Sequence, residues 1–236
     1  MSIAENIARI RAQMEDAARK AGRSPEEIKL CAATKMNDAD AVRQAIAAGV
    51  DYCGENRVQE LVQKSKENAY EGAPVHFIGH LQTNKVKQVV GKVDLIQSVD
   101  RMNLLEAIQK EAARQEIFQD ILLEVNIGNE ESKSGFQAQE VLPLLEHIAD
   151  FPNIRVKGLM AIPPISQNPG DNRKFFTKMY ELSVDIREKK YDNVFVDYLS
   201  MGMSDDYEDA IACGSTMIRV GTAIFGARNY AKLHQN

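Results

Sequence analysis

The chain has 236 residues, of which 44% are hydrophobic and 27% are charged, and its formal net charge is −5. This length suits one large domain or two small ones and is enough to bury a sizeable core. Acidic and basic residues are interspersed along the chain. The sequence therefore lacks the charged patch that is typical of proteins that bind nucleic acid or a lipid surface.

The cysteines and the N-terminal segment bear on the compartment. Cys31, Cys53 and Cys213 show no CxxC spacing and cannot all pair, which is typical of thiols in a reducing environment. The segment MSIAENIARIRAQ is charged and has no apolar stretch of the signal-peptide kind. No apolar run reaches the roughly 20 residues that span a bilayer. We therefore expect a soluble cytoplasmic protein.

An amphipathic helix is predicted at the start of the chain. Gly22 and the Ser24-Pro25 pair mark its end. Its apolar residues recur at intervals of three and four, at Ile3, Ile7, Ile10, Met14, Ala17 and Ala21.

Short apolar runs then alternate with helical patterns. The eight runs lie at 29–34, 50–53, 75–79, 93–99, 120–127, 154–160, 194–200 and 216–221. Such alternation predicts βαβ units and a parallel sheet. Eight units in a chain of this length match the lower size range of a (β/α)8 TIM barrel, although periodicity alone leaves a doubly wound open sheet possible. We predict one barrel domain over residues 1–236 with an extra N-terminal helix.

In a barrel, functional groups lie in the loops at the C-terminal ends of the strands. Lys35 follows the first strand. A lone lysine there is most often a solvated residue at a strand end, but a desolvated amine of lowered pKa can form a Schiff base with an aldehyde.

Asn56 follows the second strand, and capping of the next helix and contact with a ligand are equally compatible with it. Position alone does not decide either case.

Other polar residues near strand ends have simpler interpretations. His76 lies inside the third strand and is interpreted as a hydrogen-bonded core residue. Lys133 lies in a polar loop after the fifth strand, where lysines are usually solvated. The four histidines and three cysteines show no metal-binding spacing.

The loops after strands seven and eight indicate a phosphate site, which many barrels form at this position. Ser204 is placed as an N-cap, and its hydroxyl and the nearby backbone N–H groups can also hold an anion. Gly221 allows close approach of the backbone, and Thr222 offers a hydroxyl. A lone GTAIFG stretch is weak evidence, but it gains weight because it follows the eighth predicted strand.

Arg219 lies two residues before Gly221, so both share one face of the last strand. A guanidinium directed into a barrel needs an acceptor because it keeps its charge. One interpretation is a buried ion pair with Glu124 or Asp197; the other is contact with a ligand. Toward a pyridine ring, Arg219 can only donate to the nitrogen, which would stay unprotonated and make the ring a weak electron sink.

Taken together, these features resemble the pyridoxal-phosphate homeostasis family, whose members are similar to the N-terminal barrel of alanine racemase. The resemblance covers nearly the whole chain. It rests on TK at 34–35, GENRVQE at 54–60, HFIGHLQTNK at 76–85, SKSGF at 132–136, KGLMAIPP at 157–164, LSMGMSDD at 199–206 and RVGTAIFGARNY at 219–230.

The resemblance implies a pyridoxal 5'-phosphate (PLP) site. Lys35 matches the Schiff-base lysine of the family, and Arg219 matches the residue that faces the pyridine nitrogen. Ser204, Gly221 and Thr222 match the residues that hold the phosphate.

It also implies further contacts. Ser200 with Met201 match residues that line the same pocket, Asn56 matches a pocket residue of the second loop, and Lys133 matches a loop lysine used for ligand handling. Many members have SKT-x-P where this chain has TKMN. Thr34 keeps the hydroxyl of that serine, so we expect no change in cofactor binding, while the missing proline leaves the loop geometry after the lysine open.

Three functions are compared. The first is a monomeric PLP-binding protein that holds, buffers or delivers the cofactor to apo-enzymes without robust catalysis and without binding nucleic acid or membranes. The second is an amino-acid racemase, which needs a second acid/base group; in the racemases this is a tyrosine from an added β-domain, for which the chain has no room. Tyr198 and Tyr230 remain candidates without a supporting pattern.

The third is a PLP-free Schiff-base aldolase, although such aldolases usually carry the lysine on a later strand. We favour the first.

Overall fold

The computed structural model describes residues 1–130, 133–166 and 168–226. Eight parallel strands form a closed barrel in chain order, and β8 pairs with β1. The predicted (β/α)8 barrel is confirmed. The strands are β1 (Lys29–Ala33), β2 (Tyr52–Glu55), β3 (Val75–Phe77), β4 (Leu95–Val99), β5 (Gln119–Val125), β6 (Ile154–Ala161), β7 (Val194–Ser200) and β8 (Met217–Val220).

Helices follow or precede most strands on the outside of the barrel. The link between β3 and β4 carries only a 3-10 segment, Thr83–Gln88, and shorter 3-10 turns lie at Pro25–Glu27 and Ile148–Asp150. The α-helices are α1 (Ile3–Lys20), α2 (Ala39–Ala47), α3 (Val58–Lys66), α4 (Met102–Arg114), α5 (Ala138–Glu146), α6 (Arg173–Lys189), α7 (Tyr207–Ala212) and α8 (Thr222–Phe225).

The N-terminal helix α1 covers the seam at which the barrel closes. Because α8 has only four residues, it is too short to cover the outer side chains of β8 and β1. The buried face of α1 fills that place, and Ile10 and Met14 belong to the same apolar cluster as Leu30 and Ile218. A capping box at Ser2 fixes the start of the helix. The predicted extra helix therefore completes the outer layer of the barrel.

The interior of the barrel is packed with side chains. Met217 and Ile78 lie in one apolar cluster, against which Tyr52 and Tyr198 pack. The ring of His76 stacks on Tyr52 with the centroids 4.2 Å apart, and its Nδ1 lies in a hydrogen bond. His76 is thus the core histidine that the sequence predicted, and the lumen is a core and not a channel.

Within the described ranges, no helix is long and apolar enough to cross a membrane. The assignment of residues 1–236 to one domain stays a prediction.

The position of α1 leads to a prediction about stability. Ile10 is fully buried, so Ile10→Ala should lower the free energy of unfolding by about 2–5 kcal/mol, through lost apolar burial and the cavity that remains. Ile165→Ala is the matched control, because Ile165 is 95% exposed and a surface change of this kind alters stability by about 0.5 kcal/mol or less. Urea denaturation measures both; equal losses would contradict the role given to α1.

Candidate functional site

A cavity of about 1040 Å³ opens at the C-terminal ends of the strands. Its wall includes segments that follow β1, β2, β3, β6, β7 and β8, which is where barrels carry their functional groups. Six of the predicted site residues line it: Lys35, Asn56, Ser204, Arg219, Gly221 and Thr222.

Strand pairing brings the two ends of this site together. Cys31 of β1 pairs with Arg219 of β8 in the register of the sheet, so the chain segments beyond both strands emerge side by side. A Cβ atom on Gly221 would lie 3.3 Å from the Cβ of Ala33, which leaves little space for a larger residue. Lys35 therefore starts next to the predicted phosphate loop.

The loop after β1 has an unusual backbone conformation. Met36 has a φ of 62°, in the left-handed region that residues with a side chain rarely adopt. Its N–H donates to Oε2 of Glu60 at 2.6 Å, and the Asn37 side chain donates to the Lys35 carbonyl at 3.0 Å. These contacts hold the peptide group between Lys35 and Met36 from both of its ends in the absence of the proline found in many family members.

A buried charged cluster, which the sequence analysis did not detect, lies beneath this loop. Oε1 of Glu55 accepts hydrogen bonds from the Thr34 hydroxyl at 2.6 Å, from Lys64 Nζ at 2.7 Å and from the Tyr70 hydroxyl at 3.0 Å. Lys64 Nζ also donates to the Thr34 carbonyl at 2.8 Å and to Glu60 at 3.3 Å. The cluster ties the end of β1 to α3 and so fixes the origin of the Lys35 side chain.

Four backbone N–H groups lie at the other side of the cavity: those of Ser204, Asp205 and Thr222 in its wall, and that of Ala223, the next residue of the chain. Those of Ser204, Asp205, Thr222 and Ala223 donate to no acceptor within the described ranges. Two of them belong to the first turn of α8, where N–H groups have no partner within the helix. Unpaired N–H groups and the two nearby hydroxyls form a site for an anion.

The prediction that Ser204 caps a helix is wrong. Helix α7 begins at Tyr207, and Asp206 occupies the N-cap position. Oδ1 of Asp206 accepts the N–H of Met203 at 2.8 Å, which folds the loop so that Ser204 lies at the cavity. Asp206 thus shapes the loop, and Ser204 is not used as a cap.

Asn56 does not cap α3 either, since the N-cap position is Arg57. The backbone of Asn56 lies so close to Gly79 that a Cβ there would be 2.2 Å from the Asn56 carbonyl oxygen. Its buried Oδ1 has no hydrogen-bond partner among the described residues. An orphaned acceptor on a cavity wall favours ligand contact over the capping interpretation.

Arg219 lies on the floor of the cavity and is 5% exposed. Its Nη1 donates to the carbonyl and the hydroxyl of Ser200 at 2.8 and 2.6 Å, and Nη2 donates to the carbonyl of Ala161 at 2.9 Å. Arg219 forms neither of the two ion pairs considered from the sequence. In the described part of the chain no hydrogen bond or salt bridge joins it to Glu124, and Asp197 binds Lys157 at 2.7 Å instead. Burial lowers the pKa of Arg219.

Three residues that the family resemblance placed near the ligand lie elsewhere. Ser200 and Met201 are fully buried and are not part of the cavity wall; Ser200 lies behind Arg219 and binds it. Lys133 donates to the Pro163 carbonyl at 2.9 Å and pairs with Glu130 at 2.5 Å, so its amine is held between the loops that follow β5 and β6 and does not line the cavity.

Glu124 lies in the upper lumen near Arg219. Burial raises the pKa of its carboxyl group to about 7; the charge of Asp100 adds to the shift and that of Arg219 opposes it. Glu124 therefore holds a proton under mildly acidic conditions, in which an exposed glutamate is charged.

The comparisons with known proteins fit this geometry. The family model described as "Alanine racemase, N-terminal domain" matches residues 3–229. The chain is also 43% identical over 230 residues to the pyridoxal phosphate homeostasis protein of Aquifex aeolicus, covering 98% of this chain and 100% of the relative. The chain belongs to the pyridoxal phosphate homeostasis protein family. The family resemblance seen in the sequence motifs is thus confirmed.

Solved structures similar to this homeostasis-family chain include PipY of Synechococcus elongatus. PipY without PLP is 31% identical, with a TM-score of 0.85, and the match covers 95% of this chain and 100% of PipY. PipY with PLP bound is 30% identical, with a TM-score of 0.82 and the same coverage.

The raised pKa of Glu124 predicts a pH-dependent stability. The ordinary pKa of this carboxyl group is 4.5 and its pKa in the folded protein is about 7. Between these two pH values the unfolded chain releases a proton that the folded protein keeps, so a rise in pH lowers the free energy of unfolding. Glu124→Gln has no proton to lose. Its stability relative to the wild type should therefore increase by about 1.4 kcal/mol per pH unit over the same interval.

Urea denaturation at a series of pH values measures this difference. Glu106→Gln serves as a control, since Glu106 is exposed on α4 and its removal should leave the pH profile of the wild type in place. A constant difference between Glu124→Gln and the wild type would contradict the proposed protonation.

Proposed function

We propose that this protein binds PLP as a Schiff base to Lys35 and holds, buffers or delivers it without robust catalysis of its own. The observation that carries the proposal is the convergence of Lys35, the Arg219 guanidinium and the unpaired N–H groups of Ser204, Asp205 and Thr222 on one cavity. These are the chemical groups needed for an aldehyde, a pyridine nitrogen and a phosphate. PipY, a structural relative, was solved with PLP bound.

The residues present fit the cofactor. The phosphate would be held by the N–H groups and hydroxyls of Ser204 and Thr222, next to Gly221, where the absence of a side chain lets the ligand approach the backbone. Asn56 supplies an acceptor that lacks a partner among the described residues. When bound, PLP supplies an aldehyde carbon that condenses with an amine and a ring that can accept electrons.

Arg219 favours retention of the cofactor over catalysis. A guanidinium has donors and no acceptor, so it can only donate to the ring nitrogen and cannot transfer a proton to it. Three acceptors already fix the two Nη atoms, and Nε donates to no residue within the described ranges. An unprotonated ring is a weak electron sink, which limits the chemistry available to a bound amine.

For the racemase alternative, the described residues offer no second acid/base group of the expected type at the cavity. No tyrosine lines the cavity among the described residues. The Tyr198 hydroxyl lies 3.1 Å from that of Tyr52 within the lumen, below the cavity, and Tyr230 lies outside the described residues. A PLP-free aldolase is disfavoured by the family to which the chain belongs.

The size of the cavity suits exchange of the cofactor. About 1040 Å³ is at the upper end of the range for small-molecule sites, and the wall continues beyond Lys35 along α2 and α3 to Ala41, Gln63 and Glu67. We propose that recipient apo-enzymes receive PLP through this opening. We further propose that the protein is a cytoplasmic monomer that binds neither nucleic acid nor membranes.

An absorbance titration with PLP tests the proposal. The wild-type protein should become yellow as the Schiff base forms. Lys35→Ala should lose the visible band, because the other lysine of the described cavity wall, Lys64, is held by Glu55 and the Thr34 carbonyl. Lys66→Ala is the matched control, since Lys66 is exposed at the end of α3, and it should retain the band. Circular dichroism should show that all three proteins are folded.

Two outcomes would contradict this assignment. A wild-type protein that stays colourless with excess PLP would exclude the Schiff base. A Lys35→Ala protein with an unchanged band would assign the covalent bond to another lysine.

A further inference from the structure

Four buried polar side chains form a hydrogen-bonded chain across the barrel lumen. Arg219 Nη1 lies 2.6 Å from Ser200 Oγ, Ser200 Oγ lies 2.7 Å from Gln97 Oε1, and Gln97 Nε2 lies 2.9 Å from His76 Nδ1. Each of the four residues is at most 5% exposed. We call this set the lumen chain. It runs from the floor of the cavity to the centre of the barrel.

The donors of the lumen chain all point in one direction. Arg219 can only donate, so the Ser200 oxygen is its acceptor and the Ser200 proton is directed to the carbonyl oxygen of Gln97. The amide N–H of Gln97 is then directed to His76, which must accept at Nδ1. His76 is therefore the neutral tautomer with its proton on Nε2, and burial, which lowers its pKa to about 3, supports this state.

Other contacts hold His76 and Gln97 in place. The His76 ring is stacked on Tyr52, and Gln97 Nε2 also lies 3.2 Å from Met217 Sδ. The amide of Gln97 thus has one orientation that suits Ser200, His76 and Met217 together. Buried polar networks of this kind rigidify the groups they connect.

We propose that Gln97 and His76 are positioning residues for bound PLP, which act through Ser200 to hold Arg219 as a fixed donor to the ring nitrogen. This inference rests on the proposed function and extends it to residues that do not touch the cavity. The lumen chain ends in a neutral histidine and contains no acid, so it offers the ring nitrogen a hydrogen bond and no proton. Glu124 is the titrating group near Arg219, but no hydrogen bond or salt bridge joins the two within the described ranges. The spectrum of bound PLP should therefore depend little on pH.

Replacement of Gln97 breaks the lumen chain at its centre. In Gln97→Leu, Ser200 loses its acceptor and can reorient, and Arg219 loses a fixed partner. PLP affinity should fall about tenfold, as expected when a hydrogen bond to a charged group is weakened. The visible band should also become pH-dependent, because a ring nitrogen without its fixed donor can take up a proton from water.

Two further variants separate positioning from general destabilisation. Gln97→Glu keeps an acceptor for Ser200 and a partner for His76, so its affinity should stay within about threefold of the wild type. Gln119→Leu is the matched control: Gln119 is also a buried strand glutamine, with hydrogen bonds to Gly91, Val93 and Asp120. It should lose stability to a similar extent as Gln97→Leu and keep the PLP affinity and spectrum of the wild type.

His76→Phe provides a test if Gln97→Leu does not fold. Phenylalanine keeps the ring stacked on Tyr52 and removes the acceptor for Gln97, so a smaller loss of affinity, about two- to fivefold, and the same pH-dependent band are expected. Unfolding midpoints are measured for every variant.

The outcomes distinguish this inference from the proposed function. Wild-type affinity and a pH-independent band in both Gln97→Leu and His76→Phe would overturn the positioning role alone. An equal loss of affinity in Gln119→Leu would also overturn it. Failure of the wild type to bind PLP would overturn the proposed function and this inference with it.

Discussion

Backbone pairing between β1 and β8 closes the barrel, and the candidate site depends on that closure. In this register Cys31 lies beside Arg219, and the segments that carry Lys35 and Thr222 leave the sheet next to each other. An open sheet with the same strands would place them at opposite edges. Helix α1 protects the seam: it covers the outer face of both strands and donates from Asn6 to the carbonyl of Ile224 at 2.8 Å.

The shortness of α8 has a structural consequence at the same seam. A full eighth helix would pack on β8 and β1, where α1 now lies. With α1 in that place, α8 needs only a single turn, and its first N–H groups, which have no partner within any helix, lie at the cavity. The phosphate would be bound at this turn, and contact with α1 holds the turn from behind.

Buried polar networks fix the functional side chains on two sides of the cavity. Burial of a charged group is unfavourable unless hydrogen bonds and opposite charges compensate for it. Glu55 and Lys64 compensate each other beneath the Lys35 loop, and carbonyl oxygens together with Ser200 surround Arg219. Apolar packing could stabilise the same strands, but it would not fix the direction of a guanidinium or a loop carbonyl.

The strand order and six residues of the cavity wall could be predicted from the sequence. Each strand is a short apolar run between helical patterns. Because functional groups of a barrel lie in the loops after its strands, the strand positions then indicate Lys35, Asn56 and Thr222. The predicted positions of strand ends are less accurate where a polar residue is buried. The sequence predicts the second strand at 50–53, whereas β2 is Tyr52–Glu55. The strand extends further because Glu55 is buried through its contact with Lys64. Composition does not reveal such a contact.

The partners of buried polar groups could not be predicted. Alternation predicts that Arg219 lies inside the barrel and needs an acceptor, with an acid (Glu124 or Asp197) and a ligand as the two interpretations. The acceptors are carbonyl groups and Ser200, which any sequence can supply. Gln97 and His76 are separated from Arg219 by more than half of the chain, so only the closed barrel reveals that they are connected.

Covalent attachment at Lys35 is the central claim of this account. Its most direct test is reduction of the PLP-loaded wild-type protein with borohydride, which converts a Schiff base into a stable amine, followed by peptide mass mapping. The account predicts one pyridoxyl group, on the peptide that contains Lys35. A pyridoxyl group on Lys64, Lys133 or another lysine, with Lys35 unmodified, would contradict it.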